Sequence, residues 1–101
     1  MVYEIVITSI ALNDLKAAIN WYNKKDFAIS TRLINNFELS INKLRTNPEI
    51  YTLFSKNIRA IEIAKFPYKV FYYIKQDKEV IIIGLVHVKR SEDFIRKKFK
   101  D

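Results

Sequence analysis

At Asn47-Pro48 the hydrophobic period of this chain falls from helical to strand spacing, and that change constrains the fold more than any other feature. Upstream, apolar residues recur at helical spacing: Leu12, Leu15, Ile19 and Tyr22 in one run, then Leu33, Ile34, Phe37, Ile41 and Leu44 in the next. Downstream the period falls to about two, the spacing at which successive side chains alternate across a strand. A helix pair therefore comes first and a sheet second, and each must bury its apolar side against the other.

The first run predicts a helix from a cap at Ser9 or Asn13 to about Lys25, and the second a helix from about Phe27 to Arg45. Only the polar break Lys24-Lys25-Asp26 separates them, so they form an antiparallel hairpin. Thr46-Asn47-Pro48 ends the second helix, because the residue before a proline is disfavoured in the helical region. Residues 3–8 read as an opening strand. Beyond Pro48, Asn57 to Lys65 alternates, with Arg59, Ile61, Ile63 and Lys65 on one face. Tyr68 to Lys75 alternates again, separating Tyr68, Val70, Tyr72 and Ile74 from Lys69, Phe71, Tyr73 and Lys75. Gln76-Asp77-Lys78 is a polar hairpin turn, although it lacks the Asn-Gly or Asp-Gly signature. Val80 to Val88 is apolar almost throughout, as suits a central strand covered on both faces. Ser91 would cap a last short helix, with Glu92 and Asp93 at its positive end. The expected fold is α+β: an N-terminal strand and helical hairpin packed on a twisted antiparallel sheet of about four strands, with a short C-terminal helix. One domain spanning residues 1–101 is expected, with a single core.

Composition excludes several kinds of chemistry. There is no cysteine, which removes disulfides, thiolate catalysis and cysteine-based zinc sites, and one histidine cannot build a histidine-rich metal site. No metal and no cofactor are expected. Met1 to Ile7 carries neither a basic leader nor a small-residue cleavage site, and no segment approaches the roughly 20 apolar residues that span a bilayer. The expected location is the cytoplasm, with no membrane partner. The formal charge of +7 is uneven. Residues 1–52 contribute +1 and residues 53–101 contribute +6. The strand-rich half is thus the basic half, which suits an anionic partner such as nucleic acid or an acidic protein segment. It equally suits a soluble protein with many surface lysines.

This order of elements resembles the RelE/ParE superfamily of toxins from bacterial type II toxin–antitoxin modules, and the resemblance covers nearly the whole chain. It rests on Ala11…Asp14-Leu15, Trp21-Tyr22 late in the first helix, Asn47-Pro48 after the second, Ile58-Arg59, the Phe66-Pro67-Tyr68…Tyr72 run and the terminal His87…Arg90. The resemblance implies one of two activities. RelE-like members cut messenger RNA in the ribosomal decoding site, whereas ParE-like members inhibit DNA gyrase and are not known as hydrolases. Either way it implies a cognate antitoxin encoded beside the toxin, a toxin–antitoxin hetero-oligomer, growth inhibition, and the role in plasmid stabilization associated with such modules.

Lys69 stands where RelE-like nucleases carry an arginine, and a cation there would neutralise a scissile phosphate. Lysine offers a point charge without the bidentate fork, and it reads equally as a solvated strand lysine. His87 would serve as general acid or base, since an unperturbed imidazole titrates at about pH 6.5, or it is a packed histidine at a sheet end. Arg90 matches the arginine that follows the last strand in both branches. Arg59 and Lys65 share a strand face and would extend a basic target-binding patch with Lys69 and Arg90, or simply face solvent. Phe94 is the counterpart of the aromatic hydroxyl that RelE-like nucleases place near the C-terminus, and it cannot transfer a proton. Tyr72 shares its parity with Val70 and Ile74 and reads as core; Tyr73 keeps a hydroxyl on the other face. Trp21 and Tyr22 read as helix–sheet packing.

The inventory of acid and base groups is thin, so the expected function is that of a ParE-like toxin that binds and blocks DNA gyrase. The alternative is a ribosome-dependent endoribonuclease in which Lys69 and Arg90 hold the phosphate and His87 moves the proton. A third alternative is a degenerate module that binds nucleic acid or antitoxin without toxicity. The natural partner is an acidic or amphipathic antitoxin segment, laid on the helical hairpin or added along a sheet edge.

Overall fold

The computed structural model describes residues 2–100. It bears out the α+β arrangement. In chain order the elements are β1 (Glu4–Ile7), α1 (Ser9–Asn23), α2 (Phe27–Leu44), a 3-10 turn at Pro48–Ile50, β2 (Thr52–Leu53), β3 (Arg59–Glu62), β4 (Tyr68–Lys75), β5 (Glu79–His87) and α3 (Glu92–Lys98). The strands form one sheet in the order β1-β5-β4-β3-β2. It has five strands where about four were expected, and it is mixed: β1 runs parallel to β5, and every other pair is antiparallel. The fifth strand, β2, is two residues long, too short for any alternation to show in the sequence.

Each helix starts on a side-chain acceptor. The cap of α1 is Thr8, one residue ahead of the expected Ser9. Its hydroxyl accepts the Ala11 N–H at 3.2 Å and donates to the Ile82 carbonyl of β5 at 2.9 Å. Thr8 wins because the same hydroxyl starts the helix and fastens it to the sheet. Asp26 caps α2 through the Ala28 N–H at 2.9 Å, and Ser91 caps α3 through the Phe94 N–H at 3.1 Å. In α3, Glu92 and Asp93 open the helix and Arg96, Lys97 and Lys98 close it, so charge complements the helix dipole at both ends.

The helical hairpin covers one face of the sheet. Leu15 and Ala18 of α1 and Leu33, Phe37, Ile41 and Leu44 of α2 are buried against Ile61, Val70, Tyr72, Val80, Ile82 and Leu85. Leu12, expected in the buried stripe of α1, is exposed. The opposite face has a smaller apolar cluster. There Phe71 lies between Phe54 at 5.6 Å and Phe99 at 5.1 Å, ring centre to ring centre. Gly84 makes that second layer possible, because a Cβ at this position would meet the Phe99 ring at 2.7 Å.

A register irregularity separates Phe71, paired with Gly84, from Tyr72, paired with Ile82, so Ile83 is the extra residue of a β-bulge. Val80 and Ile82 face the hairpin. Beyond the bulge the parity of β5 is reversed, and Leu85 and His87 face the hairpin in turn. The β4–β5 turn closes through the Lys78 N–H on the Lys75 carbonyl at 3.0 Å. Gln76 and Asp77 both adopt positive φ, 52° and 55°, as a type I′ turn requires. Neither is the favoured residue there. Replacing Gln76-Asp77 by Asn-Gly is therefore expected to raise stability by about 1 kcal/mol, read as a higher urea midpoint at unchanged slope.

Tyr72 is fully buried, and its hydroxyl donates to the Pro48 carbonyl at 2.6 Å. Burial pushes its phenol well above the ordinary tyrosine range, partly offset by the nearby Arg59 cation. Above about pH 10, where an unfolded tyrosine ionises, the native state holds one more proton than the unfolded chain. The stability tied to Tyr72 is thus complete below about pH 10 and falls as pH rises further. Tyr72→Phe is expected to lower stability near neutrality by about 1–3 kcal/mol and to flatten the decline above pH 10, measured by urea unfolding across pH.

Candidate functional site

Two cavities meet at the C-terminal end of β5. The first is a groove of about 570 Å³ on the sheet face that carries Phe71, bordered by Lys43, Glu62, Lys69, His87, Arg90 and Glu92 around an apolar floor of Phe54, Phe71 and Val86. The second is a trough of about 810 Å³ beside α1, between Trp21, Tyr22, Tyr68, Pro67 and Phe94, with Lys89 and Arg90 at its rim. His87 and Arg90 border both.

Of the residues singled out in the sequence, Lys69, His87 and Arg90 come together on the groove. They arrive by different routes. Lys69 pairs with Val86 and projects from the groove face, while His87 pairs with Tyr68 and projects from the hairpin face. His87 reaches the groove only because it is the last residue of β5, at the rim of the sheet. Its ring meets Tyr68 edge-on at 5.3 Å. Its Nδ1 accepts the Lys89 N–H at 3.1 Å, which consumes the free lone pair of a neutral imidazole and leaves the proton on Nε2. Held this way, His87 presents a donor to the groove and no acceptor. Arg90 follows in a tight turn, its N–H on the His87 carbonyl at 3.0 Å, and its guanidinium stacks over the Phe94 ring at 4.4 Å.

Arg59 and Lys65 lie apart from that group. Ile61 and Ile63, which share the parity of Arg59, are buried against the hairpin, so Arg59 leaves the sheet on the hairpin side. Its Nη1 donates to the Tyr51 carbonyl at 2.7 Å and holds the segment leading into β2. β3 ends at Glu62, and Lys65 sits exposed in the following turn with φ 67°, so the expected common face does not extend to it.

Three residues take places that their sequence context did not indicate. Glu62 lies directly across from Lys69 in the β3–β4 register, which places a carboxylate beside the groove lysine. The alternation around it was visible, but nothing marked it as a groove residue. Trp21, expected as packing, is 53% exposed and borders the trough, with the Lys25 ammonium 4.7 Å from its ring centre. Asp14 is the third. β1 ends at Ile7, opposite Ile82, so β5 runs on without a strand on that side. The Asp14 carboxylate accepts the Leu85 N–H at 3.1 Å and pairs with the Lys98 ammonium at 3.0 Å. One side chain thus joins α1, the site-bearing end of β5 and α3.

Among the described residues, no group of three or more His, Cys, Asp or Glu side chains is placed to hold a metal ion, and no helix is long and apolar enough to cross a membrane. The available chemistry is recognition of anions by Lys69, Lys89 and Arg90, with aromatic surface beside them. Asp14→Ala strips the Leu85 N–H of its acceptor and Lys98 of its partner, and is expected to cost about 1–3 kcal/mol. Asp14→Asn, which keeps an oxygen for Leu85, is expected to cost less. Hydrogen exchange at the Leu85 amide and urea midpoints of the two variants check this.

Comparison with known proteins agrees with this fold. A family model described as the ParE toxin of the type II toxin–antitoxin system parDE matches residues 5–92. Among solved structures, the chromosomal ParDE toxin–antitoxin system from P. aeruginosa is similar in fold, with a TM-score of 0.76 and 16% identity over 87% of this chain and 98% of that one. A mutant of the E. coli toxin RelE in the free state is also similar, with a TM-score of 0.58 and 16% identity over 94% of this chain and 93% of that one. No curated protein matches the chain. With a family model spanning most of its length and a matching fold, the chain belongs to the ParE toxin family of type II toxin–antitoxin systems.

Proposed function

We propose that this chain is the growth-inhibiting member of its toxin–antitoxin pair, and that it acts by binding DNA gyrase rather than by cutting RNA. The observation that carries this proposal is the state of His87. An RNA-cleaving site needs a group to accept a proton from the attacking 2′-hydroxyl, and the free lone pair of His87 is taken by a backbone N–H. Phe94, which has no hydroxyl to offer, stands where a second proton-transfer group would be needed. Apart from Glu62 and Glu92, what remains on the groove is cationic and apolar, the composition of a binding surface. Lys69 and Arg90 are its target contacts: Lys69 meets charge from the sheet, and Arg90 presents a planar guanidinium set by Phe94. A cognate antitoxin, encoded beside the chain, neutralises it by forming a hetero-oligomer.

Glu62 favours the second function, a ribosome-dependent endoribonuclease. It borders the groove across from Lys69, and neither residue forms an ion pair among the described residues. In that scheme Glu62 takes the 2′-hydroxyl proton, Lys69 and Arg90 hold the phosphate, and the Nε2–H of His87 hydrogen-bonds the leaving oxygen, which takes its proton from water.

Two assays run side by side separate them. The expected result is inhibition of gyrase supercoiling by the purified chain, with messages left intact in cell-free translation. Lys69→Ala with Arg90→Ala is expected to raise the concentration for half-inhibition at least about tenfold. Message cleavage that disappears in Glu62→Gln or His87→Ala would overturn the gyrase assignment. Failure of the neighbouring open reading frame's product to bind the chain or restore growth would overturn the pairing.

A further inference from the structure

A third cavity, of about 460 Å³, lies where α3 ends on the sheet face that carries Phe71. It shares no residue with the groove and only Lys98 with the trough. Distant parts of the chain converge on it. Ile10 stands at the start of α1 and is 58% exposed, while Tyr73 comes from β4 and Ile83 from β5. Residues 55–58 form a loop wall, closed by the Phe54 and Ser55 N–H groups on the Ile58 carbonyl at 2.7 and 3.3 Å. Phe99, just past α3, adds an aromatic ring.

Two irregularities of β5 shape this cavity. Ile83 is the extra residue of the bulge, and bulges recur beside functional sites because they re-aim a side chain. Gly84 lets the Phe99 ring come down on the sheet, where a Cβ would meet it at 2.7 Å. The charge is one-sided as well. Among the described residues no carboxylate lines the cavity, whereas the groove has Glu62 and Glu92 and the trough has Asp14. Lys98 is held by Asp14, but Lys56 and Lys100 form no ion pair among the described residues. Ser55, Asn57 and Tyr73 add polar side chains to an otherwise apolar wall. Apolar surface with a few polar and charged groups at fixed points is the composition of a small-ligand site.

We propose that this cavity binds a small aromatic anion, whose ring system lies against Ile83 and Phe99 while its sulfonate, phosphate or carboxylate meets Lys56 and Lys100. Phe99 favours a ring over an aliphatic chain, because aromatic pairs gain more than the area they bury. The lysines favour an anion, and the absence of a lining carboxylate among the described residues leaves nothing to repel one. An occupant presses on Lys98 and Phe99 and so braces α3 from its C-terminal end. The other end of α3 carries Phe94, which seats the Arg90 guanidinium beside the groove. The site draws on none of the groove's residues and goes beyond the toxin function proposed above.

Gly84 is the only glycine, so its amide gives one readily assigned resonance directly behind the Phe99 ring. The probe is anilinonaphthalene sulfonate, titrated into the full chain beside its neutral analogue phenylnaphthylamine. The expected result is saturable, salt-sensitive fluorescence enhancement by the sulfonate and at least about tenfold weaker binding of the neutral analogue. The largest amide shifts are expected at Gly84, Asn57 and Phe99. Lys56→Glu with Lys100→Glu reverses the rim charge, and Ile10→Glu sets a carboxylate at the mouth from an exposed position in the first turn of α1. Each is expected to weaken binding at least about tenfold with unchanged far-ultraviolet circular dichroism. Competition by naphthoate and by adenosine monophosphate tells a carboxylate-bearing ring from a phosphate-bearing one. Equal binding of the two probes, shifts centred on Lys69 and Arg90 or on Trp21, indifference to either variant, or displacement by neither competitor overturns the proposal. None of these readouts involves gyrase or growth, so this site and the toxin function fail separately.

Discussion

The structure depends on how the exposed side of β5 is satisfied beyond the reach of β1. β5 is nine residues long and β1 only four, and their register ends at Ile7 and Ile82. Past that point the backbone of β5 would face the helices with unpaired polar groups, each costly to bury. Two side chains from the start of α1 take over. Thr8 bonds the Ile82 carbonyl, and Asp14, nearly two turns later, bonds the Leu85 N–H. The helical hairpin therefore docks through backbone hydrogen bonds as well as apolar area, and those bonds fix its position along β5. Lys98 joins the same carboxylate from the other direction, so α3 is tied to the hairpin through Asp14.

The bulge at Ile83 has the larger consequence for function. With strict alternation His87 would share a face with Ile81, away from the hairpin. The extra residue reverses the parity and turns Leu85 into the main core and His87 toward Tyr68. The same reversal puts Gly84 under Phe99, where only a residue without a side chain fits. One irregularity thus sets the aim of the single histidine and the seat of the C-terminal helix, and it does so between the two cavities.

Cationic residues of the second half of the chain do not form one continuous patch. Lys69 and Arg90 border the groove, and Lys89 and Arg90 the trough. Arg59 is spent on the Tyr51 carbonyl and Lys98 on Asp14. The basic half of the sequence is therefore partly structural. Of the others, Lys69, Lys89 and Arg90 stand where β5 ends, beside aromatic surface, whereas Lys75 and Lys78 flank the β4–β5 turn at the opposite end and Lys65 lies in the turn before β4.

The sequence by itself determined the helical hairpin, the two long strands, the polar turn between them and the capped last helix, because each follows from local periodicity and capping. It also placed Tyr72 in the core correctly from parity alone. It misplaced Trp21, gave Glu62 no role and quoted Asp14 only as part of a family motif, since exposure, cross-strand register and a bond across 71 residues are not local properties. The parallel placement of β1, the two-residue β2 and the reversal at Ile83 were decided only by tertiary structure. Each depends on which backbone groups a distant segment leaves unpaired, and no periodicity within a strand records that.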